Sequence, residues 1–550
     1  MISRSTFAKQ PGAVKWRSAI AWVFLAAAAV TSAQDVARAF LKGPYLQAPG
    51  AETMTILWES PTNGSGVVRY GLKGRLNREL RLDAPRELTV VSPNAGGSAA
   101  TGSATNAVFL YEMTLTNLEA NSVYTYSAET HGIQTPTKKF KTFGAHPSKV
   151  RFIAYGDTRS NPKLHAAIAA NFKRYAPDFI LHTGDLVSAG KRYDLWGKEF
   201  FDPLAQVIDE VPILPAIGNH EQDGINYLHY LHLPGKKTAW YSYDVGPVHV
   251  LSLDYRYESE TDEQFAFAKR DLQAARSPWK IVILHIPIFN FGGHGSRWGQ
   301  AAYLPLFHQA KVDLVIGGHS HIYERFYPVA PTTGPDRWPI THITTGGGGA
   351  PLSTTLRHPA LAAQAATNHF LVIEATPTKL QGRAFTTNNT LIDTFEMKKA
   401  RGRAPAKSLS EPYSEEMLNL AFDATPSLTA ELASVPGTNS PARVMFTLRP
   451  LPKAKQPVDL VIGLTLASKV NYEIQGGPLQ VTTPAATESN KVVWATLLAT
   501  GRNPIEAAGT RRELSPALVF EASIRAGAGE TVAYGQKSKV SEAAAEASKR

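Results

Sequence analysis

Five apolar runs in this sequence each end on a residue able to ligate a metal. VRFIAYGD ends at Asp157 and DFILHTGD at Asp185. VPILPAIGNH ends at Asn219 and His220, KIVILH at His285, and VDLVIGGHSH at His319 and His321. One Gly-Asp pair is an ordinary turn and carries almost no signal. Five such ends in order, each after a strand-like run, are a different matter. Glycine precedes Asp157, Asp185, Asn219 and His319, which lets the backbone turn sharply and come close to a site. Imidazole combined with carboxylate suits zinc, iron, manganese or cobalt, and not calcium. If two ions are held, one carboxylate must serve both. A pair about 4 Å apart clamps the attacking and leaving oxygens of an in-line displacement and lowers the pKa of a water between them.

The elements around these residues explain how they would meet. From residue 150 onward, apolar runs alternate with helical spacing such as NPKLHAAIAANFKRYA, the pattern of βαβ units on a buried parallel sheet. Strand carboxyl ends gather along one edge of such a sheet, where ligands bind. The gaps of 28, 34, 66 and 34 residues between the five ends each leave room for a crossover. Before this region, residues 40–145 contain short alternating strands such as TMTILWE and SVYTYSAET, and imply a β-sandwich. Residues 93–105, SPNAGGSAATGSA, read as a loop within it. The expected fold is multidomain. It comprises the N-terminal β-sandwich, a central α/β domain at 148–398, a linker at 399–419, a mostly β domain of unknown role at 420–535, and a polar tail at 536–550.

The order GD, GD, GNHE, ILH and GHSH resembles the calcineurin-like metallophosphoesterase superfamily. GGHSHIYER, together with FLKGPYLQ at the start of the preceding sandwich, is most similar to purple acid phosphatases with an N-terminal fibronectin-type domain. The resemblance covers roughly residues 40–395. It implies a central metallophosphoesterase sandwich with two metal ions, of which iron, zinc or manganese fit best. Asp185 would bridge them, Asp157 and His321 would complete the first site, and Asn219, His285 and His319 the second. His220 would contact phosphate and stabilise the transition state, and His294 would make a further phosphate contact. The expected activity is phosphate monoester hydrolysis, with a metal-bound hydroxide attacking phosphorus in line. Two alternatives stand beside it: a phosphodiesterase or nucleotidase on the same site, and a non-catalytic phosphate-ligand or surface-binding protein.

Two positions depart from the family. Purple acid phosphatases carry GDxxY, whose tyrosine ligates ferric iron and gives the colour; here the stretch is GDLVS, with Ser188 in that place. General metallophosphoesterases carry DxH at the first motif; here it is Asp157-Thr158-Arg159. The first metal therefore lacks one protein ligand under either pattern, and no tyrosinate absorption is expected. Arg159 reads either as a fork for a phosphate oxygen or as a structural ion pair. His182 reads as a packed core residue, and Tyr323, Glu324 and Arg325 as braces behind the ligands. The glycine run TTGGGGAP, 344–351, reads as a phosphate cradle or a tight turn.

The remaining features bound the setting. Residues 1–33 read as a secretory signal, with Arg4, Lys9, Lys15 and Arg17 ahead of the apolar run AIAWVFLAAAAV and then Thr-Ser-Ala. That run of 12 is short for a bilayer span, which needs about 20 residues, so a secreted or periplasmic protein with no membrane span in the mature chain is expected. The net charge of +11 falls to +7 (53 basic against 46 acidic residues) without those four. No basic residues cluster into a nucleic-acid footprint, so a phosphate ester is the one partner expected and protein partners stay unknown. The absence of cysteine excludes thiolate metal sites and a cysteine nucleophile.

Overall fold

Alternating residues from Met54 onward predict a half-buried strand. In the computed structural model all seven residues of Met54–Ser60 are buried. The structure describes residues 32–93, 103–144, 148–234, 238–399, 412–424, 428–432, 441–451, 457–464, 472–499, 520–526, 529–534 and 539–540. The signal segment before residue 32, residues 94–102 of the expected loop, most of the expected linker and residues 541–550 of the tail lie outside them.

The strand is buried twice because it has two neighbours. Ile56 and Trp58 face the sandwich core, where Trp58 stacks on Tyr111 with ring centroids 4.7 Å apart. Leu57 and Glu59 face the central domain, and Leu57 joins its core. Glu59 pairs with Lys42 and accepts hydrogen bonds from Tyr193 Oη (2.6 Å) and Tyr230 Oη (2.8 Å). A buried carboxylate is tolerable only with partners of this kind. Tyr45 Oη donates to the Tyr230 carbonyl and Gln47 Nε2 to the Ile213 carbonyl, so one sheet of the sandwich is seated on the central domain. That sheet holds Lys42–Gln47, Met54–Ser60, Ser103–Leu115 and Arg86–Pro93; the other is built on Gly66–Leu72 and Val123–Thr130.

The central domain has two sheets. One runs Ile213–Pro215, Phe179–His182, Val150–Tyr155, His369–Ala375, Lys379–Thr386, Leu391–Lys398. Its first three strands are parallel, and the return strands are antiparallel. The other places Val248–Ser252, Trp279–Ile283, Leu314–Gly317 and Thr341–Thr345 in parallel, with antiparallel strands at both margins. Helices Pro162–Ala169, Glu263–Ala274 and Tyr303–Ala310 supply crossovers. The core between the sheets draws Phe152, Ile180, Ile281 and Ile316 from both. Every expected ligand follows the carboxyl end of one of these parallel strands.

Beyond the central domain, two further sheets enclose a small core in which Phe446 and Phe520 meet edge to face at 4.8 Å. Helix Glu415–Ala424 starts inside the segment read as linker and inserts Leu418, Ala421 and Phe422 into the central domain's second core. Lys539–Val540, in the segment read as tail, pairs in parallel with Leu428–Leu432.

His342 sits in Thr341–Thr345 against Phe289, and neither ring nitrogen has a hydrogen-bond partner among the described residues. Burial, then the nearby His308, lowers its pKa to about 3. The unfolded chain takes up this proton first, so stability is lost as pH falls from about 6.5 towards 3. At pH 5 the loss is roughly 2 kcal/mol. The unfolding free energy of His342→Phe relative to the parent should therefore rise by about that much between pH 7.5 and pH 5. A difference that stays flat in urea titrations at the two pH values would contradict this.

Candidate metal centre

Three site residues depart from ordinary strand backbone. Asp157, Asp185 and His319 have φ of 58°, 57° and 66°, the left-handed region that non-glycine residues seldom enter. Each lies just past a strand end, and the turn carries its side chain across the sheet edge. Such strain persists where surrounding contacts fix it. At Asp185 the fixing group is Glu221, a residue for which the motif alone suggests no role. Its carboxylate accepts from the backbone amides of Asp185 (2.9 Å), Leu186 (2.8 Å), Val187 (3.3 Å) and Gly218 (2.7 Å). It thereby ties the Asp185 turn to the Asn219 turn. The signal for it was present as the Glu of GNHE, but only tertiary contact reveals four amides converging on it. Burial, then the charge of Asp185, raises its pKa to about 8. Gly218 is required by close approach, since a Cβ there would stand 2.3 Å from Asp185 Oδ1.

The structure brings all six expected ligands together. His285 Nε2 lies 2.8 Å from Asn219 Oδ1, 3.2 Å from His319 Nδ1 and 3.3 Å from Asp185 Oδ1; His319 Nδ1 lies 3.0 Å from Asn219 Oδ1. Tetrahedral ligands at about 2.0–2.1 Å from a zinc ion stand roughly 3.3 Å apart, so Asn219, His285 and His319 have the mutual spacing one ion needs, with Asp185 Oδ1 beside His285. Tautomers agree. His285 Nδ1 donates to the Thr183 carbonyl at 2.9 Å, which leaves a lone pair on Nε2. Asp157, Asp185 and His285 each offer a ligand atom within 4.8 Å of the others, all buried.

The cluster has too much negative charge for its burial. Burial, then the charge of Asp185, pushes the Asp157 carboxyl well above the usual range. Burial acts in the same direction on Asp185, but His285, the His220 amide and charge, and Arg159 outweigh it and hold that carboxyl low. His285 is lowered by burial, and His319 falls to about 3 from burial and then His285. Neutral imidazoles beside carboxylates are the form a cation needs.

The other expected residues ring this centre. His321 Nδ1 donates to the Pro351 carbonyl at 2.7 Å, and its Nε2 lies 3.6 Å from Asp157 Oδ1. Arg159 Nε donates to Asp185 Oδ2 at 3.1 Å, and its Nη2 lies 3.3 Å from His321 Nε2. His220 Nδ1 donates to the Ser188 carbonyl at 2.7 Å, leaving Nε2 3.9 Å from Asp185 Oδ2 on the open side. The exposed His294 ring lies 4.7 Å from that of His319. His182 is buried and takes the amide of Gly184 on Nδ1, as a core residue does. Glu324 accepts from Asn290 Nδ2 and the amides of Phe291 and Gly292, and so holds the His294 loop. Tyr323 and Arg325 instead grip Asp393. The glycine run is packing rather than a cradle: Gly348 N donates to the Gly156 carbonyl at 2.8 Å and Ala350 N to the Asp157 carbonyl at 2.9 Å.

Glu221→Ala should weaken metal binding about 10–100-fold, because it frees both ligand turns. Glu324→Ala should leave it within about threefold, because Glu324 touches only the His294 loop. Calorimetric titration of the metal-stripped variants with Mn²⁺ checks both. Unchanged affinity in a folded Glu221→Ala protein would refute the bracing role.

Known proteins resemble this chain in sequence and in fold. Residues 150–323 match the calcineurin-like phosphoesterase family, and residues 42–142 match the N-terminal domain of purple acid phosphatases. Acid phosphatase type 7 of Mus musculus is 26% identical over 355 residues, covering 56% of this chain and 76% of the mouse protein. Purple acid phosphatase 22 of Arabidopsis thaliana is 31% identical over 261 residues, covering 42% of this chain and 57% of that protein. The solved purple acid phosphatase from yellow lupin seeds (Lupinus luteus) aligns with a TM-score of 0.54 at 19% identity, over 67% of this chain and 77% of its own, a likeness of fold. The chain thus carries a calcineurin-like phosphoesterase domain preceded by a purple acid phosphatase N-terminal domain.

Proposed function

We propose that this chain is a metal-dependent phosphatase acting on phosphate monoesters outside the cytoplasm. The observation that carries the reading is the meeting of Asn219 Oδ1, His285 Nε2 and His319 Nδ1 at 2.8–3.2 Å from one another, with Asp185 Oδ1 3.3 Å from His285 Nε2. One complete donor set is enough for it. When bound, the metal supplies a Lewis acid for phosphoryl oxygens and lowers the pKa of a water. The chain's own groups do the rest. His220 has one nitrogen fixed by the Ser188 carbonyl and the other directed to the cleft. Protonated at Nε2, it donates to a phosphoryl oxygen or to the departing alkoxide. Guanidinium N–H groups of Arg159 not used by Asp185 and His321 orient a non-bridging oxygen. His294, beside His319, closes the phosphate end. Water attacks in line, and no covalent phosphoenzyme forms. The export reading rests on the basic and apolar N-terminal segment. No described helix is long and apolar enough to cross a membrane.

Two assays test the reading. p-Nitrophenyl phosphate should be turned over with kcat/KM at least about tenfold above that of its bis ester, and His220→Ala should lower kcat by about 10²–10⁴ with little change in KM. Faster turnover of the bis ester would shift the assignment to a phosphodiesterase, and hydrolysis of neither ester by metal-loaded protein would end the enzyme reading. Ser188 Oγ donates to Glu199 Oε1 at 3.0 Å, so the position of the missing tyrosine is committed to a carboxylate. Iron-loaded protein should accordingly lack a visible tyrosinate charge-transfer band.

A further inference from the structure

We infer that the guanidinium of Arg159 stands where the first metal of the two-metal plan would be, so that the chain binds one metal ion rather than two. The inference rests on the metal-centre reading above and concerns how many cations that centre accepts. Asp185 divides its two oxygens: Oδ1 faces His285 Nε2 and accepts the His220 amide, while Oδ2 accepts Arg159 Nε at 3.1 Å. Oδ2 is the Asp185 oxygen turned to Arg159 rather than to the His285 donor.

The second donor on that side is His321. Its Nδ1 is committed as a donor to the Pro351 carbonyl, so Nε2 carries the only lone pair of the ring. Arg159 Nη2 approaches that lone pair at 3.3 Å. One guanidinium thus holds both donors through adjacent N–H groups of its planar fork. Such a fork suits two acceptors placed side by side.

The other residues at the first position also have partners of their own. Both oxygens of Asp157 accept the His319 backbone amide, at 3.1 and 2.9 Å, which fixes the left-handed turn of a ligand of the complete set. Ser188 gives its hydroxyl hydrogen to Glu199 and meets Ser160 Oγ at 3.2 Å. The Arg159 side chain is 15% exposed and is enclosed in the centre rather than swung into solvent. A second cation would have to displace a cation already bonded to its ligands. The first position therefore does not fit a metal, whereas the Asn219, His285, His319 and Asp185 Oδ1 set does.

The test is the metal content of the full chain. Wild-type protein and Arg159→Ala are loaded with excess Mn²⁺, desalted, and measured by mass spectrometric metal analysis and by EPR. Wild type should hold one Mn²⁺ per chain with the signal of an isolated ion. Arg159→Ala, with Asp185 Oδ2 and His321 Nε2 released, should take up a second ion and show exchange coupling. Two ions per wild-type chain, or a coupled pair in wild type, would overturn the inference, as would one ion in both proteins. The wild-type spectrum decides even if the variant misfolds. Ester hydrolysis measured in parallel separates the two readings: one ion without turnover sinks the phosphatase assignment alone, and two ions with turnover sink the Arg159 assignment alone.

Discussion

Carboxylates gathered in a buried space are the constraint from which the rest of this molecule follows. Asp157 and Asp185 sit at the ends of neighbouring parallel strands, with Glu221 behind them, all at 1% exposure or less. Three such groups in a low-dielectric interior are unfavourable unless cations or directed N–H groups answer them. Each has a different answer. Glu221 takes four backbone amides, Asp157 takes the amide of His319, and Asp185 takes Arg159 on one oxygen and faces the imidazole donors with the other. The turns that carry these residues are therefore held by the protein's own hydrogen bonds, which is the form of preorganisation a metal site needs.

The surrounding domains bear on this centre through packing. The N-terminal sandwich lends Tyr45, Leu57 and Leu110 to the same core that carries Tyr155 and Leu181, the strands leading to Asp157 and Asp185. On the other side, Phe422 of helix Glu415–Ala424 stacks on Phe291 with centroids 4.7 Å apart, and Asp423 pairs with Arg297. Phe291 and Arg297 flank His294 in sequence. The C-terminal region thus reaches the His294 loop, whereas the sandwich packs behind the strands that lead to Asp157 and Asp185.

Much of the site was legible in the sequence because its logic is topological. Parallel strands must end on one edge, so Asp157, Asp185, Asn219, His285 and His319 could be placed together from apolar runs and spacing alone. What stayed hidden depended on contacts between distant segments. Glu221 was printed in GNHE, but nothing local says that it collects four amides. Arg159 could be read as a substrate fork or an ion pair; its bonds to both Asp185 and His321 required the fold. The strand Met54–Ser60 alternates as a half-exposed strand would, and its polar face is nevertheless buried because Glu59 meets Lys42, Tyr193 and Tyr230 from two domains. Helix Glu415–Ala424 lies where charge and proline suggested only a linker, since its apolar stripe is meaningful only against the Phe289 and Phe291 surface.

Everything proposed for this centre requires that distant strand ends enclose a cation. Crystals of the full chain soaked in Mn²⁺ and measured at long wavelength would locate manganese by its anomalous scattering. The expected result is a peak bonded to Asp185, Asn219, His285 and His319. Fully occupied density for those side chains with no anomalous peak among them, or a peak held by other residues, would contradict it.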